Sequence, residues 1–181
     1  MPITALDPRT ALVVVDLQRG IAGSPAAAPV VAGAVRLADA FRAQGLPVVL
    51  VNVTGGAPGR TERQRPSAPR PDGWDELLPE LGDGIRVTKR TWGAFHGTDL
   101  HEKLTAEGVT QVVIVGIATS KGVESTARAA HEHGYHVTVA TDAVADGDPE
   151  THRTSIERIF PALGETGTVD EILRLLAATA R

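Results

Sequence analysis

Residues 111–134 read QVVIVGIATSKGVESTARAAHEHG. The opening QVVIVG, 111 to 116, is a near-continuous Val/Ile run, the mark of a strand buried on both faces of a parallel sheet rather than half-solvated on one. From 122 to 133 the composition turns alanine-rich and helical, and Gly134 follows as a stop. Between strand and helix lies the short turn GIATSKG. A buried strand that feeds a helix through a tight turn is half of a βαβ unit.

Three further apolar runs repeat the signal: ALVVV at 11–15, LPVVLVNV at 46–53 and YHVTVAT at 135–141. Helical patterns separate them. Residues 29–44 place Val30, Val31, Ala34, Val35, Leu37, Ala38 and Phe41 on one broad stripe before Gly45. Residues 98–107 open with Thr98 and Asp99 and close at Gly108, and TVDEILRLLAATA near the C-terminus opens with Thr168 as a cap. The alternation predicts an α/β fold, a three-layer, doubly wound parallel sheet forming a single domain over 1–181. In such folds the site lies beyond the carboxyl ends of the strands. Residues 54–73, TGGAPGRTERQRPSAPRPDG, break the rhythm as a long Pro-, Gly- and Arg-rich loop, a length that marks a functional lid or a surface excursion.

Composition narrows the function. The 181 residues are 42% hydrophobic and 22% charged, and at this length roughly 70% of the unfolded chain's surface can be buried. A net charge of −4 without a basic block argues against nucleic acid as a partner. Cysteine is absent, which removes disulfides, thiolate metal sites and thiol nucleophiles together. The N-terminus MPITALDPRT has no apolar signal region and no stretch approaches the ~18 apolar residues of a membrane span. A cytoplasmic protein with no membrane partner is expected.

Asp16 ends the first strand and Lys89 ends another extended stretch, GIRVTKR. Both therefore fall on the functional rim. Trp92 and Phe95 in the following TWGAF are expected to form one apolar wall. The turn ATSKG, 118–122, would match the G-x-S-x-G nucleophile elbow only if Ala118 were glycine, so Ser120 is a poor candidate nucleophile. What remains there is a helix N-terminus, whose backbone N–H groups can hold a carboxylate or an oxyanion. His131 and His133 point about 200° apart on a helix and are not a chelating pair. Asp142, Asp146 and Asp148 lack the spacing of a calcium loop and read as a polar turn; GGAPGRT lacks the ending of a phosphate loop. No metal or other cofactor is expected.

ALVVVDLQRG, KRTWGAF and VVIVGIATSKGVESTARAAHEHGYHVTVATDAVAD, with the closing IFPALGETGTVDEIL, together resemble the isochorismatase-like, or cysteine hydrolase, superfamily. The resemblance implies a six-stranded parallel sheet, a homo-oligomer (dimer or tetramer) and an Asp–Lys–Cys triad. The first two members carry over to Asp16 and Lys89, while the cysteine position falls on Gly122. A cis peptide within Gly116–Thr119 is also implied. Gln18, Trp92, Phe95, Ile117, Ala118, Thr119 and Lys121 would line a small carboxylate substrate. Thiol chemistry is impossible at Gly122, but true isochorismatases are similar in lacking the nucleophile there. Those relatives cleave a vinyl ether, a reaction in which Asp16 would donate the proton and water would capture the resulting cation. A Lys89 neighbour favours the ionised carboxylate, so burial and a substrate carboxylate paired with Lys89 have to offset it; Lys89 would either hold that carboxylate or orient Asp16. Three other readings stay open: a silent small-acid-binding or structural relative, an amidase-type hydrolase using Ser120 or water, and an engineered replacement of cysteine by glycine. Arg60, Arg63, Arg65 and Arg70 of the long loop are candidate clamps for substrate carboxylates.

Overall fold

The Val-rich runs pair edge to edge because each buries both of its faces. The computed structural model describes residues 3–62 and 69–179. Along the chain the elements are β1 (Thr10–Val15), α1 (Arg19–Ala22), α2 (Ala28–Ala43), β2 (Val48–Val53), β3 (Ile85–Lys89), α3 (Leu100–Ala106), β4 (Gln111–Ile117), α4 (Glu124–Glu132), β5 (His136–Ala145), α5 (Pro149–Thr154), α6 (Phe160–Leu163), β6 (Glu165–Gly167) and α7 (Val169–Thr179). The sheet order is β3-β2-β1-β4-β5-β6, with every pairing parallel. The chain thus moves outward from β1 to β3, returns to the other side of β1 as β4, and moves outward again. That reversal opens a crevice beyond the carboxyl ends of β1 and β4.

Alternate residues of each central strand feed two cores. Leu12 and Val14 pack with Leu37, Phe41 and Ile172 from α2 and α7; Val13 and Val15 pack with Leu100, Leu104, Ala127 and Phe160 from α3, α4 and α6. All six residues of β1 are buried, which is why its sequence is continuous rather than alternating. The expected stripe on α2 is buried at Val30, Ala34, Leu37, Ala38 and Phe41. No helix among the described residues is long and apolar enough to cross a membrane.

Several boundaries differ from the expectation for local reasons. The stretch from 98 begins its helix only at Leu100; Asp99 makes no side-chain cap, and Thr98 Oγ1 accepts from Leu100 N at 3.3 Å instead. After β4 the chain makes a π-helical turn, Thr119–Val123, before the regular helix starts at Glu124 rather than 122. At α7 the Thr168 cap forms as expected: its Oγ1 accepts from Glu171 N at 3.2 Å while Glu171 Oε2 accepts from Thr168 N at 2.7 Å, a reciprocal capping box. β6 does not stand out as an apolar run, since its three residues are Glu, Thr and Gly at the sheet edge.

Candidate active site

Asp16 follows the last residue of β1 and adopts φ of 56°, a left-handed conformation uncommon for a side chain other than glycine. Its N–H donates to Val51 O at 2.9 Å, so the turn is anchored to β2 while the side chain leaves the sheet. Lys89 ends β3, two strands away, and its long stem passes β2 to place Nζ 2.8 Å from Asp16 Oδ2. Both side chains are buried: 5% of Asp16 and 1% of Lys89 remain exposed.

Lys89 Nζ also donates to Thr91 O at 3.1 Å and to Trp92 O at 2.6 Å. An ammonium has three N–H donors, so all are engaged within the protein. The ammonium is thus turned toward Asp16 and the following loop, with no donor left over. Burial pushes the Asp16 carboxyl up to about 6, against the opposing charge and hydrogen bond of Lys89. Desolvation wins over the cation.

Gly122 sits within the π-helical turn, directly beside the pair. A Cβ added there would meet Asp16 Oδ2 and Val15 Cγ1 at 3.1 Å each and Lys89 Nζ at 3.5 Å. The first two are tight contacts, so the pair closes over the glycine. Gly116 has a different task. Its φ is +127°, and a Cβ would fall 2.0 Å from Val15 O, so only glycine lets β4 approach β1 here. The Ile117–Ala118 peptide is cis, within the segment where the resemblance implied one.

Hydrogen bonds from outside the turn fix its shape. Asp146 Oδ2 accepts from both Ser120 N and Ser120 Oγ, at 2.8 and 2.7 Å. Thr119 Oγ1 and His152 Nδ1 share a hydrogen bond at 2.8 Å, and Thr126 Oγ1 donates to Gly122 O at 2.6 Å. Burial pushes Asp146 up, but the Ser120 and Asp148 hydrogen bonds and the Lys121 charge outweigh it and hold the carboxyl below its usual range. Ser120 is thus a clamped turn residue whose hydroxyl faces a carboxylate of low basicity. Lys121 is exposed, with Nζ 3.8 Å from Asp146 Oδ1. Ile117 and Ala118 are half-buried and Thr119 is buried.

Three expectations need correction. Gln18 is fully buried; its Nε2 donates to Val53 O and Trp74 O at 3.1 and 3.3 Å and its Oε1 accepts from Val53 N at 2.8 Å, so it ties β2 to the returning loop rather than facing a substrate. Trp92 and Phe95 do not form one wall. Trp92 is 59% exposed, whereas Phe95 lies with its ring 5.1 Å from His133 and 6.0 Å from Tyr135. The chain leaves the rim after Lys89 and descends along α4, where Ala94 N donates to Thr126 Oγ1 at 3.1 Å. Arg70 stacks on Trp74, Cζ 3.9 Å from the ring, and donates to Gly55 O at 2.9 Å, so its guanidinium braces the loop. Arg60 is exposed; Arg63 and Arg65 lie outside the described residues.

His131 Nδ1 lies 3.0 Å from Leu163 O, while His133 stacks on His101 with centroids 4.2 Å apart. The polar turn expected over 142–148 is one only in part, because β5 runs on to Ala145 and Asp142 lies within the strand. Asp142 Oδ1 accepts from Val169 N at 2.8 Å, and Asp148 caps α5 through Glu150 N and Thr151 N. Among the described residues no three His, Cys, Asp or Glu side chains form a metal-binding cluster. What the sequence reading missed is Thr91 and the bracing by Asp146, Thr126 and His152. Asp146 and His152 reach the turn from 26 and 33 residues away and have no local signal, whereas Thr126 bonds the carbonyl four residues before it, a spacing the sequence does show.

Comparison with known proteins shows the family. Residues 10–171 match the isochorismatase domain. The uncharacterized isochorismatase family protein YecD of Escherichia coli O157:H7 is 43% identical over 92% of this chain and 96% of its own length. The ureidoacrylate amidohydrolase RutB of Methylobacterium radiotolerans is 33% identical over 98% of this chain and 83% of its own. A solved isochorismatase family protein from Burkholderia thailandensis superposes with a TM-score of 0.91 at 38% identity, covering 96% of this chain and 98% of that one. With its doubly wound sheet, its Asp16–Lys89 pair and this match over most of its length, the chain belongs to the isochorismatase family of hydrolases.

Proposed function

We propose that the protein is a thiol-independent hydrolase of the isochorismatase type, cleaving the vinyl ether of isochorismate or a related small acid with Asp16 as general acid. The observation that carries this reading is a buried Asp16 carboxyl, raised to about 6, set against a glycine instead of a nucleophile. At neutral pH about one such carboxyl in ten holds a proton. That proton passes to the terminal methylene carbon, which becomes a methyl group, and the positive charge spreads onto the ether oxygen as an oxocarbenium ion. Water adds to the cationic carbon and loses a proton, and the resulting hemiketal breaks into pyruvate and a dihydroxy-cyclohexadiene carboxylate. No step calls for a thiol. With the Lys89 donors engaged, the exposed Lys121 is left to meet a substrate carboxylate.

The second reading is amide hydrolysis, favoured by the 33% identity to an amidohydrolase. It would use Asp16 as a base, with water or Ser120 as nucleophile. A silent relative is the third. Pyruvate release from isochorismate, followed for wild type and Asp16→Asn between about pH 5 and 8, separates them. Vinyl ether cleavage predicts release by wild type, loss in the variant, and a rate that falls about tenfold per pH unit above about 6, where the acid form disappears. Turnover of amides that rises with pH through the same range assigns Asp16 as a base instead. No turnover of either class leaves the silent relative.

A further inference from the structure

Two buried side-chain oxygens among the described residues have no protein hydrogen-bond partner, Asp16 Oδ1 and Thr91 Oγ1. Buried polar atoms are almost always satisfied by protein, water or ligand, so each such orphan calls for an occupant. These two belong to residues that meet at one atom. Asp16 Oδ2 and Thr91 O both lie on Lys89 Nζ, at 2.8 and 3.1 Å, and are therefore within about 6 Å of each other. Gly122 packs against the same carboxylate, so that a Cβ there would meet Asp16 Oδ2 at 3.1 Å.

We propose that Thr91 is a catalytic residue whose hydroxyl, together with Asp16 Oδ1, holds the water that attacks the substrate. The inference rests on the hydrolytic reading above and deepens it by naming the acid atom and the water site. Lys89 donates to Oδ2, so a proton on Asp16 is carried by Oδ1, which has no hydrogen-bond partner in the protein. A threonine hydroxyl both donates and accepts, whereas the ionised carboxylate only accepts. The two together suit a water that must be oriented by one group and deprotonated by the other.

The sequence of steps then closes on itself. The Oδ1 proton goes to the methylene carbon. The water oxygen, fixed by Thr91 Oγ1, forms a bond to the cationic carbon, and one of its protons passes to Oδ1, restoring the acid. The remaining hydroxyl proton of the hemiketal moves to the departing ether oxygen as that C–O bond breaks, giving the alcohol and the keto acid. Lys89 touches no reacting atom; it positions Asp16 and, through the carbonyl of Thr91, the residue that carries the second hydroxyl.

The test compares wild type with Thr91→Val, which keeps the shape and removes the hydroxyl, and Thr91→Ser, which restores it. Thr91→Ala serves if the valine variant does not fold. Two readouts are taken. In the free protein, the Asp16 carboxyl is titrated by carbon-13 NMR, with Lys89 as the charged group in contact with it. In turnover, kcat and KM for pyruvate release are measured separately. The proposal expects the Asp16 titration to move in Thr91→Val and return in Thr91→Ser, and kcat to fall about 10- to 100-fold at a KM within about twofold, the signature of a group acting on the reacting water. An unmoved titration, an unchanged kcat, or a rise in KM alone overturns it. Should wild type release no pyruvate, the vinyl ether reading falls, and the titration decides the Thr91–Asp16 water site by itself.

Discussion

Asp16 is the residue on which structure and chemistry make opposite demands. Its carboxyl is raised from the ordinary 3.8 to about 6 because burial penalises the charged form more than Lys89 favours it. The folded state therefore binds more protons than the unfolded state between those two values. Stability from this group is fully present below about pH 4 and is lost as pH rises through 6, the reverse of an ordinary paired carboxylate. A rise of this size corresponds to about 3 kcal/mol. Asparagine does not titrate, so the unfolding free energy of wild type minus that of Asp16→Asn, measured by urea at each pH, should fall by about 2 kcal/mol from pH 4 to 6 and approach the full amount only between about pH 3 and 7. A flat or rising difference would mean that Lys89 sets the pKa after all. The left-handed backbone at Asp16, a strain of about 1–3 kcal/mol, tilts the balance the same way: the site is held in place at the expense of stability.

The element that decides the site is the π-helical turn between β4 and α4, and it divides what the sequence reveals from what it hides. The strand before it and the helix after it are legible because each has a period: Val and Ile buried on two faces, then alanines and a terminal glycine. The turn has no period of its own. Its shape comes from Asp146, 26 residues away on the far end of β5, from His152 on α5, and from Thr126 one turn into α4. Likewise Asp16 and Lys89 are legible as strand ends, but the capture of all three Lys89 donors by Asp16, Thr91 and Trp92 depends on how the chain bends after β3. Gln18 misleads for the same reason, since a polar residue two places past the catalytic candidate looks like a ligand until its backbone partners are known. The turn makes a sharp comparison possible. Ser120→Ala removes one hydroxyl contact but leaves Ser120 N on Asp146, and should cost about 1 kcal/mol or less with pyruvate release retained. Asp146→Ala strips the bonds to Ser120 N, Ser120 Oγ and Asp148 N together, and should cost about 2–3 kcal/mol and depress turnover. Urea midpoints and initial rates on the same preparations measure both. If Ser120→Ala abolishes activity, Ser120 is a nucleophile and the water mechanism is wrong.

At the scale of the whole molecule, the doubly wound order explains how a site built from β1, β3 and β4 stays in register. β1 is the shared neighbour of β2 and β4, and the reversal of direction on either side of it brings three chain segments to one rim. The sheet is clamped from both faces by cores that sit below that rim, and this separates scaffold from chemistry. Phe41 tests the separation. It is fully buried in the core formed by α2, α7 and one face of the sheet, with Leu37, Val113 and Ala140 in the same cluster. Phe41→Ala should cost about 3–5 kcal/mol by lost transfer energy and the cavity left behind. Against a typical total of about 5–15 kcal/mol, this brings the protein near its threshold without unfolding it outright. The hydrogen bonds of Lys89 and of the turn draw on no atom of that core, so kcat/KM per folded molecule should stay within about twofold of wild type while the urea midpoint drops sharply. A large fall in kcat/KM with the folded fraction accounted for would show that α2 packing reaches the rim, and that the position of β1, rather than the local hydrogen bonds alone, holds Asp16 in place.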